Sequence, residues 1–165
     1  TAEERNLLGS EYYAANPLLP LETTVANLTM DVLQPNGLAR DVVLIGAGQS
    51  NLDALLAEKA AAQNRTITPD ARPERGLAFR ADHFPFAKRG VPALVLMGLG
   101  GGHDLVNGGR VAGDRWVAEF TDQCYHQACD RWSETWDLRG AAQDVTLLYE
   151  MASPPPAPGR WMSGR

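Results

Sequence analysis

Asp41-Val42-Val43-Leu44-Ile45, inside residues 40–46, is apolar at four consecutive positions after its opening aspartate. A strand with one wet face would alternate polar and apolar residues, so an unbroken run predicts a central strand covered on both faces. Residues 91–96, Val91-Pro92-Ala93-Leu94-Val95-Leu96, form a second buried strand, ended by the flexible Gly98-Leu99-Gly100-Gly101-Gly102. Between the two lies the Ala/Leu-rich segment 50–64, with Ser50 placed as an N-cap and Asp53 three residues on, which predicts a helix. Upstream, Leu7, Leu8, Tyr12 and Ala15 recur at helical spacing within residues 5–16, which end at Asn16-Pro17. Residues 23–33, with Val25, Leu28, Met30 and Val32, predict a strand that turns at Pro35-Asn36-Gly37. Residues 137–151 predict a closing helix. Strands alternating with helices imply an α/β fold, a layered domain with its sheet covered on both faces.

The 165 residues carry 15 Lys plus Arg against 20 Asp plus Glu, a net charge of −5, with 44% hydrophobic and 21% charged residues. That length is one domain or part of one, and the composition is globular rather than disordered. The acidic balance and the lack of a Lys/Arg cluster exclude a phosphate-backbone reader, so nucleic acid is not an expected partner. No apolar run reaches the ~18 residues of a membrane span. The first residue is Thr1, and no basic region followed by an apolar stretch marks a signal peptide, so the chain is expected to start inside a longer sequence. Residues 152–165 open with Ala152-Ser153-Pro154-Pro155-Pro156 and are expected to be a proline-rich tail.

Several residues have the chemistry of a metal site, each with a plainer alternative. Cys124-Tyr125-His126-Gln127-Ala128-Cys129-Asp130 combines thiols with an imidazole, but two cysteines five positions apart fit no common structural-zinc spacing. The segment could be a surface loop, or a small disulfide loop of an oxidising compartment that leaves His126 free as a ligand. Glu3-Glu4 could be acids favoured at a helix N-terminus, worth about 0.3–1 kcal/mol without any function. Asp31 ends an apolar strand, where a carboxylate must be paired, protonated or metal-bound, and where sites in α/β sheets lie; a strand-end turn is its alternative. Asp82-His83 fits a loop cap or a site pair, and His103-Asp104 a polar loop.

The order of these motifs resembles one family. Thr1-Ala2-Glu3-Glu4 with Leu7-Leu8-Gly9-Ser10, then Val25-Ala26-Asn27-Leu28-Thr29-Met30-Asp31, then Asp82-His83-Phe84-Pro85-Phe86 with Gly90-Val91-Pro92-Ala93, then Tyr125-His126-Gln127, are similar to the M28 zinc aminopeptidases from residue 1 to about 149. The resemblance implies a zinc-exopeptidase-like α/β fold with a mixed, largely parallel sheet flanked by helices. Residues 1–151 would be the C-terminal half of the catalytic domain. It implies Glu3 as general base toward a metal-bound water, Glu4, Asp31 and His126 as zinc ligands, and Asp82, His83 and Tyr125 as pocket or supporting residues. It also implies a Cys124–Cys129 disulfide, and with it a periplasmic or secreted protein. Where many relatives have Asn-x-Asp-Met, this chain has Thr29-Met30-Asp31-Val32, an apolar exchange after the ligand.

A complete family site holds two zinc ions and uses a further His and a bridging Asp upstream of the Glu-Glu pair. The chain is therefore expected to be a fragment, inactive alone, with the N-terminal half of the same domain as partner and a peptide or amino-acid amide as substrate. The alternatives are a glutaminyl-cyclase-like transferase with one zinc and a non-catalytic, receptor-like relative.

Overall fold

The computed structural model describes residues 2–153; the expected tail from Pro154 onward lies outside the described residues. The run at 41–45 is β2 (Asp41–Ile45), buried at every position. With β1 (Asn27–Asp31), β3 (Thr66–Pro69) and β4 (Ala93–Met97) it forms a sheet of order β1-β4-β2-β3. β1 pairs parallel with β4, β3 pairs parallel with β2, and β2 meets β4 antiparallel through Leu44↔Leu96 and Ile45↔Val95. The fold is α/β with a mixed, mostly parallel sheet. That single antiparallel joint places the start of β2 at the same end of the sheet as the ends of β1 and β4.

Alternation along β2 explains its unbroken apolar run. Val42 and Leu44 pack with Leu94 and Leu96 against Leu52, Leu56 and Ala60 of α2 (Leu52–Ala62) and Leu147, Leu148 and Met151 of α5 (Arg139–Ala152). Val43 and Ile45 face the other way, with Val95, Met97, Leu77 and Leu99, beneath Trp116 and Phe120 of α4 (Gly109–Gln123). Both faces are covered, as the sequence predicts.

The elements differ from expectation in four places. α1 spans Leu8–Ala15 and starts later than residue 5, because Asn6 and Leu7 have left-handed backbone, φ 62° and 59°. β1 is shorter than residues 23–33, since a 3₁₀ turn at Leu21–Thr23 precedes it. The short edge strand β3 and the helix α4 were not expected from the sequence pattern. α4 carries two glycines, and Gly113 is required by packing: a Cβ there would lie 2.1 Å from the His103 carbonyl oxygen.

His103 and Asp104 lie in a loop, as expected, but His103 is buried in it. His103 is 3% exposed, and its Nδ1 lies 3.5 Å from Oδ1 of Asp41, itself 1% exposed. Asp41 also accepts hydrogen bonds from Thr68 Oγ1 (2.6 Å), the Asp104 N–H (2.8 Å) and Arg110 Nη2 (2.7 Å). Burial alone would raise the Asp41 carboxyl, but the His103 imidazole, the Thr68 hydroxyl and the Asp104 N–H outweigh it and hold the group below the usual carboxylate range. Next to it, buried Arg65 donates through Nη2 to the Asp41 carbonyl and to Asp144 Oδ1, both at 2.6 Å. The network joins β2, β3, the 103–104 segment, α4 and α5.

Removing one partner of a buried ion pair strands the other charge. Asp144→Asn is expected to cost about 3–5 kcal/mol of stability. Asp104→Ala, which breaks only the exposed Arg40–Asp104 pair at 3.3 Å, should cost less than about 1 kcal/mol. Urea unfolding of the two variants measures the contrast, and equal losses would contradict it.

Candidate active site

Three segments distant in sequence meet at the end of the sheet where β1 stops. Asp31 is the last residue of β1, opposite Met97. The chain then turns through Val32, a β-branched residue at φ 38°, and the Val32 carbonyl accepts a hydrogen bond from the Gly98 N–H at 2.9 Å. Only glycine fits at 98, because a Cβ would lie 2.8 Å from that carbonyl oxygen. β1 and the loop after β4 thus clamp the backbone next to Asp31.

Glu3 and Glu4 sit in a turn ahead of α1, closed by Leu7 N–H to Glu3 O (2.8 Å) and Leu8 N–H to Ala2 O (3.2 Å). They are outside the helix, separated from it by the left-handed Asn6 and Leu7, so a helix-dipole role does not account for them. From the other side, α4 delivers Tyr125 and His126 just past its C-terminus, held by Tyr125 N–H to Phe120 O (2.8 Å) and Gln127 N–H to Cys124 O (2.8 Å). A Cys124–Cys129 disulfide closes this turn, with Cα atoms 5.3 Å apart. His126 itself has φ 60°.

His126 Nε2 lies 3.2 Å from Glu4 Oε1, and the Tyr125 and His126 rings stack at 3.9 Å. Glu3, Glu4, Asp31, Tyr125 and His126 line one cleft of about 610 Å³. Its field is negative. Burial raises the Asp31 carboxyl, Glu4 and Asp82 raise it further, and the Val32 N–H and His126 oppose. Burial, then Glu4, Asp31 and Asp82, raise Glu3. Tyr125 is raised by burial and then by Asp31, Glu4 and Glu3, with Arg80 opposing. Carboxylates that raise one another in this way favour a bound cation or a proton.

The donor set, carboxylate oxygens beside an imidazole nitrogen, suits zinc in type. Among the described residues no three His, Cys, Asp or Glu side chains converge tightly enough to hold an ion by themselves. Glu4 and His126 are adjacent, and further donors would be needed around them.

Asp82 and His83 do not line the cleft. Asp82 acts on Glu3 and Asp31 through its charge, and its Oδ1 is buried without a hydrogen-bond partner. His83 precedes the short helix α3 (Phe84–Ala87) and is 3% exposed, and burial pushes its imidazole below the usual range. Arg80, Phe79 and Lys88 do line the cleft and were missed. The available signal for Arg80 was its place as a charged residue in the otherwise apolar Leu77-Ala78-Phe79-Arg80-Ala81.

An α/β domain that gathers carboxylates, a tyrosine and an imidazole into a cleft at the end of its sheet has the make-up of a hydrolase. The family model described as Peptidase family M28 matches residues 1–149, and the chain belongs to that family of peptidases. No curated protein matches the chain.

The small loop closed by the disulfide supports one expectation. Alkylation and mass spectrometry of the non-reduced protein should find no free thiol, and the double variant Cys124→Ser/Cys129→Ser should lose less than the ~3 kcal/mol associated with 15-residue loops. Two free thiols would contradict the pairing.

Proposed function

We propose that this chain forms one wall of the active site of a zinc-dependent aminopeptidase, which hydrolyses the N-terminal bond of a peptide or amino-acid amide. The observation that carries the proposal is the meeting of Glu4 and His126 at 3.2 Å in the cleft that also holds Glu3 and Asp31. Glu4, Asp31 and His126 would hold metal, and two zinc ions per complete site are proposed. Bound zinc supplies Lewis-acid polarisation of the scissile carbonyl and lowers the pKa of water.

Glu3 is the general base. Its carboxylate lines the same cleft as the candidate ligands, placed to accept the proton of the attacking water and return it to the leaving amine. The negative cleft also attracts the substrate's free ammonium group, which accounts for action at the chain end. Tyr125, stacked on His126, faces the same space and can donate its hydroxyl proton in a hydrogen bond to a developing oxyanion.

Among the described residues the donors do not close around an ion, and the sheet ends at β1 on one side and β3 on the other. Among the described residues no strand pairs with the outer edge of β1. Val25 and Met30 are exposed beside it, and in the preceding segment Leu18 is 88% exposed. An open apolar edge is an association hazard unless covered. The proposed partner is an N-terminal half of the same domain, supplying neighbouring strands and the outstanding ligands, without which this chain is inactive. The disulfide fits an oxidising compartment, and a periplasmic or secreted location is proposed.

The test separates base from ligand in the complete catalytic domain. Glu3→Gln should lower kcat by roughly 10²–10⁴ while zinc is retained, whereas His126→Ala should lose zinc. Near-native kcat in Glu3→Gln would overturn the assignment of the base.

A further inference from the structure

Beside the cleft lies a second groove of about 580 Å³ that the proposed chemistry leaves unused. Phe120, the Cys124–Cys129 disulfide, Trp132 and Trp136 line it. The two indoles meet edge to face at 5.3 Å between centroids, and Trp132 is 63% exposed. A pair of large aromatic rings left to water is the kind of surface that marks binding of an apolar group.

The groove adjoins the cleft, since Asp130 lines both. The Phe120 ring contacts Tyr125 at 6.0 Å, and Tyr125 stacks on His126 at 3.9 Å, so one aromatic row runs from the groove to the candidate ligand. A substrate with its ammonium group at Glu3 and Asp31 must extend the rest of its chain away from that acidic end. The row past His126 and Tyr125 offers it apolar contact. Asp130, Arg131 and Glu134 also line the groove, so its charges are mixed with one acid in excess.

We propose that this groove is an extended subsite, which takes an apolar or aromatic side chain of a peptide residue downstream of the scissile bond. The occupant is the substrate itself, so peptides are better substrates than single amino-acid amides. The proposal rests on the aminopeptidase function above. Aromatic contacts of this kind correspond to roughly two- to tenfold in affinity.

The test compares leucinamide, whose leaving group is ammonia and leaves the groove empty, with Leu-Gly-Gly, Leu-Phe-Gly and Leu-Gly-Phe on the complete catalytic domain. Wild type should favour one of the phenylalanine peptides over Leu-Gly-Gly. Trp132→Ala should remove that preference, roughly a two- to tenfold loss through KM, with leucinamide turnover unchanged, and Trp132→Phe should largely restore it. Equal losses on all four substrates, or no loss, would overturn the subsite. So would Trp132-dependent dimerisation with unaltered peptide kinetics, which would give the groove to a second copy. Tripeptide binding to Glu3→Gln, measured calorimetrically, separates the two proposals. Trp132-dependent binding without wild-type turnover supports the subsite and refutes the aminopeptidase, and turnover without Trp132 dependence does the reverse.

Discussion

A carboxylate buried at the first residue of the central strand constrains the rest of the molecule. Asp41 is 1% exposed, and an ion in that position costs several kcal/mol unless its oxygens are fully engaged. They are engaged by Thr68 of β3, the Asp104 N–H and Arg110 of α4, while the Asp41 carbonyl and Asp144 of α5 share Arg65. The ionised state is tolerated only with all of these elements seated. α4 is thereby anchored near its first turn, and its other end presents Tyr125 and His126. A polar network with no part in the chemistry sets the direction from which the late histidine enters the cleft.

Among the described residues, left-handed non-glycine backbone gathers around the cleft. Of the described non-glycine residues with left-handed backbone, Ala2, Asn6, Leu7, Val32 and His126 flank or belong to the acidic cluster, and Asn64 alone lies elsewhere. Such conformations cost of order 1–3 kcal/mol each and persist where surrounding structure over-determines them. Here the determinants are visible: the Gly98 N–H on the Val32 carbonyl, the nested hydrogen bonds of the turn at Ala2 and Glu3, and the disulfide around His126. The strained turns bring together charges that repel one another.

What was legible in the sequence follows from how local each signal is. β2 could be identified because its own residues show that both faces are covered, α2 because its segment is rich in Ala and Leu, and α1 because Leu7, Leu8, Tyr12 and Ala15 recur at helical spacing. α4 was invisible because Gly109 and Gly113 dilute its pattern, and the reason for Gly113, contact with His103, belongs to the tertiary structure. His103 looked like part of a polar loop because its partner, Asp41, is remote in sequence. The candidate site came from the order of the motifs, not from spacing: residues alone left Glu3-Glu4 open to a helix-dipole explanation, which the left-handed Asn6 and Leu7 remove. Arg80 and Phe79 reach the cleft from a 3₁₀ turn that carries no sequence periodicity.

Under the proposed function, one explanation serves both the unpaired edge of β1 and the cluster of Glu4, Asp31 and His126: donors from elements beyond the described residues would complete the site. Metal analysis of the complete catalytic domain after exhaustive dialysis tests this most directly. Two zinc ions per molecule, falling on His126→Ala, are the expected result. A protein that binds no zinc, or whose zinc is indifferent to Glu4, Asp31 and His126 substitutions, would contradict the account.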